Sequence, residues 1–160
     1  AEESEIRIQA PSTLGQIGAE AKPAIHRLID ALDDEIPEVR SNSAKALGQI
    51  GYAGPEVVSA LSLLIGDSSW QARANAISAL GEFGVLARQA LGDLSQALSD
   101  ETDQWVRESI EGVIEKIKFG PQYLKAKIIE METEAYTDYT HESKVFEQHT
   151  KFIYAILCHD

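Results

Sequence analysis

The chain has 160 residues, of which 44% are hydrophobic and 25% charged, enough for one domain or one short solenoid with a buried core. A formal net charge of -12 argues against sequence-independent binding to nucleic acid or to an anionic membrane, since both need clustered Lys and Arg. One cysteine, Cys158, excludes an internal disulfide, and neither a membrane-length apolar run nor a basic-then-apolar leader is visible, so a cytoplasmic protein is expected.

In chain order, the first signal is Ile6-Arg7 followed by LGQIG at Leu14 to Gly18. The same pentapeptide returns at Leu47 to Gly51 and, as LGEFG, at Leu80 to Gly84. Anchored on Arg7, Arg40, Arg73 and Arg107, four copies recur at steps of 33, 33 and 34 residues. A period of this size marks stacked supersecondary units that cannot bury an apolar face alone. The first copy shows only the second half of its unit. The extra residue of the last step lies between Asp100 and Arg107, where DETDQWVR replaces DSSWQAR, and predicts a longer loop.

Within one period two amphipathic helices are predicted. From Pro37 to Ile50, Val39, Ser43, Ala46, Leu47 and Ile50 fall at helical spacing. From Pro55 to Ile65, Val57, Val58, Leu61, Leu64 and Ile65 do the same. Pro37 and Pro55 suit a first helical turn, while Gly18, Gly51 and Gly84 suit a left-handed stop. Gly15, Gly48 and Gly81 lie inside the last turn, where glycine costs up to ~1 kcal/mol relative to alanine, which predicts close approach of a neighbouring helix.

The stretch AKPAIHRLIDALDDEIPEVRSNSAKALGQIG, Ala21 to Gly51, resembles a bacterial HEAT-like repeat of the phycobilisome-lyase type. The resemblance runs from about Ile6 to Lys118 and implies an all-α fold, a right-handed α-α superhelix of stacked antiparallel helix pairs. It divides the chain into repeats over 1–118 and a divergent helix pair over 119–160. The fourth copy departs from the pattern, with Glu111 in place of Pro11, Ala44 and Ile77, and IEKIK at Ile114 to Lys118 in place of LGxxG. The resemblance also implies a ladder between neighbouring units, formed by Asp34, Asp67 and Asp100 with Arg40, Arg73 and Arg107.

Residues for chemistry are sparse. His26, His141, His149 and His159 lack paired ligand spacing, and Cys158 has no CxxC partner, so no metal, cofactor or catalytic residue is assigned. The expectation is a non-catalytic scaffold that binds a protein partner; a bilin lyase or phycobiliprotein chaperone is the alternative that the repeat type suggests.

The resemblance assigns the binding surface to the second helix of each pair, on the concave face. In the second copy this gives Glu38, Ser41, Asn42, Lys45 and Gln49, and in the third Trp70, Gln71, Asn75, Ser78 and Glu82. In the fourth it gives Trp105, Glu108, Ser109 and Lys116. Trp70 and Trp105, the only tryptophans, either serve as binding anchors or fold back over the inter-repeat turns. Beyond Lys118 lie seven of the nine Phe and Tyr residues. There Leu124, Ile128, Met131 and Ala135, and then Val145, His149, Phe152, Ile153 and Ile156, form two apolar stripes, read as a cap on the solenoid or a partner-binding segment.

Overall fold

The computed structural model describes residues 2–104 and 106–120, and over these the chain is built from helices. The α-helices are α1 (Glu2–Ile17), α2 (Ile25–Asp30), α3 (Pro37–Ile50), α4 (Pro55–Leu64), α5 (Trp70–Phe83) and α6 (Leu91–Asp100). Residues 106–120 form a further helix, α7. Short 3-10 segments, Gly18–Ala24, Ala31–Asp33 and Gly84–Ala90, flank α2 and precede α6. The described residues all lie within one compact unit. The predicted cap, with the helical stripes from Leu124 to Ile156, lies outside the described residues.

The helix boundaries follow from local chemistry. Pro37 and Pro55 occupy the first turns of α3 and α4, where a missing amide proton costs nothing. At the other end of α3, Gly51 takes φ 73, and its amide donates to the carbonyls of Gly48 and Leu47 at 3.0 and 3.3 Å. A left-handed residue here reverses the chain without the steric penalty a Cβ would add.

The helices stack in two layers. Helices α1, α3 and α5 pack side by side, and α2, α4 and α6 form the second layer, with α4 also against α5. Positions one period apart fill equivalent places: Leu28, Leu61 and Leu94 are buried in one layer, Leu47, Leu80 and Ile114 in the other. Each such side chain contributes ~1.5–3 kcal/mol when fully buried. The second layer is also tied by Gln89, whose side-chain amide donates to the Pro55 carbonyl at 2.8 Å and the Ser59 hydroxyl at 3.2 Å.

The row of second helices is closely spaced because small residues meet. A Cβ on Gly48 would lie 3.0 Å from the Ala79 Cβ and 3.1 Å from its Cα. Gly15 meets Ala46 in the same way, whereas Gly81 makes room for the Val113 side chain. Glycine's cost to helix propensity is thus offset by contact between neighbouring backbones.

The extra residue of the fourth copy does not lengthen the turn as expected. Glu101 precedes Arg107 by six positions, as Asp34 precedes Arg40 and Asp67 precedes Arg73. The insertion is absorbed upstream, where α6 continues to Asp100 while α4 stops at Leu64, one period before Ala97. The end of α6 lies three residues beyond the period equivalent of the end of α4, whereas a longer turn would displace the Arg107 contacts described below.

Gly48→Ala is expected to destabilise the protein by about 1–2 kcal/mol, because overpacking against the Ala79 backbone outweighs the propensity gain. Urea unfolding checks this; an unchanged or raised midpoint would contradict the close-approach role.

Candidate functional site

Each turn into a second helix is built around one arginine. Arg40 donates from Nε and Nη2 to the two carboxylate oxygens of Asp67, at 2.8 and 2.9 Å, and from Nη1 to the Asp34 carbonyl at 2.8 Å. It therefore clasps its own turn and the next unit at once. Asp67 also accepts the Ser69 amide at 2.7 Å, fixing the entry to α5. Arg7 makes the equivalent pairing with Asp34, whose carboxylate accepts the Ile36 amide at 2.8 Å. Arg7 was not among the ladder residues expected from the sequence, and its period position, 33 residues before Arg40, is the signal that marks it as the first rung.

The third rung differs from the expected ladder. Arg73 Nη1 donates to the carbonyls of Asp67 and Ser68 at 2.8 and 3.3 Å. No ion pair joins it to Asp100 among the described residues, and the Asp100 carboxylate accepts from Gln96 and Ser99 instead. Glu101 takes the turn position: its carboxylate accepts the Thr102 and Asp103 amides at 2.8 and 3.0 Å, and its carbonyl accepts from Arg107 Nη1 at 3.0 Å. The one-residue shift of register has moved Asp100 back onto the helix end.

The Arg40 guanidinium holds the Asp67 carboxyl below its ordinary range; the Ser69 amide adds to this, and burial opposes it. Arg7 and the Ile36 amide do the same for Asp34, again against desolvation. Both groups have depressed folded-state values. Their contribution to stability is complete above the unfolded carboxylate range, near pH ~4, and is lost as the pH falls through the folded value.

Of the polar residues assigned to the binding face, some are consumed by the stack. Asn42 Nδ2 donates to the Ile8 carbonyl at 2.9 Å, and Asn75 Nδ2 to the Ser41 carbonyl at 3.0 Å and its hydroxyl at 2.9 Å. Ser41 is buried. Ser41 is a correction to the expected surface; Asn42 and Asn75 are half-buried and join neighbouring second helices, and Asn75 still lines the groove described below. The spacing of 34 in both amide contacts is the signal that could have revealed them.

The remaining assigned residues stay open. Glu38, Lys45, Gln49, Gln71, Ser78, Glu82, Glu108, Ser109 and Lys116 are exposed. Trp70, the first residue of α5, is 66% exposed, so it does not bury itself over the turn. Trp105 lies outside the described residues.

Trp70, Ser78, Glu82, Glu108, Ser109 and Lys116 share one groove of about 1180 Å³. Two parts of its wall had not been anticipated. Leu63, 85% exposed, comes from α4, and Asp93, Gln96 and Asp100 come from α6. Leu63 sits off the stripe of Leu61 and Leu64, so an apolar residue on the polar side of a helix was its available signature.

Among the described residues no cluster of three or more His, Cys, Asp or Glu could hold a metal, and no helix is long and apolar enough to cross a membrane. His26 is exposed on α2. Cys158, His141, His149 and His159 lie outside the described residues.

Paired helices stacked at a fixed period, with the pairs locked by residues that recur one unit apart, define an all-α repeat solenoid. The chain belongs to the HEAT repeat family, whose model matches residues 1–64 and 25–115. HEAT repeats generally act as protein-interaction scaffolds. No curated protein matches the chain in sequence.

The ladder and the groove make separable predictions. Lowering the pH from the ordinary carboxylate range near ~4 through the depressed folded-state value of Asp67 should progressively erase the stability difference between wild type and Asp67→Asn, because both then carry a neutral side chain; urea midpoints from pH 7 to pH 2 measure it, and a difference that persists undiminished at the acid end would refute the pairing. Asn75→Ala should cost about 1 kcal/mol through its lost hydrogen bonds, whereas Trp70→Ala should fall within about 0.5 kcal/mol of wild type. Losing several kcal/mol at Trp70 would show that it packs.

Proposed function

We propose that the chain is a non-catalytic scaffold in the cytoplasm that binds a protein partner across the open faces of α5 and α7. The observation carrying this reading is Trp70, 66% exposed at the wall of the groove. Leaving so large an aromatic surface in water is unfavourable, and tryptophan is the residue most enriched among binding hot spots. Docking a partner there removes apolar surface from water without rearranging the stack.

Two features support the same assignment. The exposed face is polar and of mixed sign, with Ser78, Glu82, Glu108 and Lys116, which suits a specific polar rim around an aromatic anchor. Its acidic side chains disfavour a phosphate backbone, which supports a protein partner over nucleic acid. The single cysteine fits a reducing compartment. The bilin-lyase alternative rests on the repeat type, and no described residue favours it.

The test compares wild type with Trp70→Ala as bait in affinity capture from lysate, using variants matched in stability. A protein retained by wild type and reduced by roughly tenfold or more with Trp70→Ala is the expected outcome, corresponding to ~1.4 kcal/mol of anchor energy. Identical capture by both baits would reject the groove as the binding surface.

A further inference from the structure

We infer that the groove between α5 and α7 takes a short cationic segment of a partner protein, with an apolar side chain seated at its Trp70 end. This rests on the scaffold reading above and narrows the chemistry of the partner.

Charge supports it first. The groove walls carry the carboxylates of Glu82, Asp93, Asp100, Glu101 and Glu108 against the cations Arg73 and Lys116. Of the two cations, Arg73 already donates from Nη1 to the carbonyls of Asp67 and Ser68. The excess of carboxylates attracts Lys and Arg and repels an acidic segment. Because the groove is a recess, field lines are focused there more than on a flat acidic surface.

The apolar contribution is separate. Leu63 is 85% and Trp70 66% exposed, and both line this groove. A bound segment that supplies an apolar side chain covers both of these exposed surfaces.

The length follows from the helix. Glu82 lies twelve residues after Trp70 on α5, a separation of ~18 Å at the helical rise. About five or six extended residues span that distance. The expected ligand therefore places its apolar residue against Trp70 and Leu63, with Lys or Arg along the following turns.

Fluorescence anisotropy on the full chain tests this with three labelled peptides of about ten residues, long enough to overrun the groove. One carries a Phe-Leu pair followed by alternating Lys and Ser, the second replaces Lys by Glu, and the third replaces Phe-Leu by Ser. The first should bind roughly tenfold or more tighter than either other. Charge reversal at Glu82→Lys with Glu108→Lys should abolish that preference, and the neutral pair Glu82→Gln with Glu108→Gln should weaken it if the reversed pair folds poorly by circular dichroism. Glu20→Lys with Asp30→Lys, an equal charge change outside the groove, should leave the affinity intact.

Equal loss in that outside variant would reduce the effect to net charge and overturn the inference, as would saturable binding by none of the peptides. If the Glu peptide binds as well as the Lys peptide and Trp70→Ala releases it, the cationic specificity is overturned while the scaffold reading stands.

Discussion

A pair of short helices cannot bury its apolar face alone, so every other property of this chain depends on how closely one unit lies against the next. The distance is set where Gly48 faces Ala79 and Gly15 faces Ala46. With the backbones that near, Asn42 and Asn75 reach carbonyls of the preceding helix, and Arg40 reaches the aspartate of the following unit. A larger side chain at the glycine positions would open the row and lengthen these bonds together. Close approach, amide clamps and the arginine contacts are therefore one cooperative device rather than three independent ones.

That device divides each second helix lengthwise. On α5, Ala72, Ala76, Ile77, Ala79 and Leu80 are buried, Asn75 is spent on the neighbouring helix, and Trp70, Ser78 and Glu82 are left outward. The outward residues bear little of the stability, so they are free to be set by what the groove meets. The same division keeps the groove walls rigid, because α5 and α7 are fixed by contacts on their inner sides. A rigid wall lowers the ordering cost of binding.

The fold was legible because its determinants are local or periodic. Pro37, Gly51 and the apolar spacing of Val39, Leu47 and Ile50 each report a backbone requirement that depends little on the neighbouring unit, and the period supplies the stacking. The candidate site was less legible for a different reason. Whether Asn75 faces water or a carbonyl depends on the distance between helices, which composition does not encode. The 34-residue step leaves open whether the turn or the end of α6 takes the extra residue, so the period alone does not distinguish Asp100 from Glu101 as the turn residue. Leu63 was hidden in the apolar run LSLLI, where two neighbours are buried and it alone points outward.

The central claim is that stacking and surface use different side chains of the same helices. Solvent exchange of side-chain N–H groups, read by NMR on the full chain, tests it most directly. The amide protons of Asn42 and Asn75 should exchange measurably more slowly than those of Gln49 and Gln71, and the Trp70 indole N–H should exchange as fast as a free one. Rapid exchange at Asn75, or a protected Trp70 indole, would contradict the division and reassign the binding face.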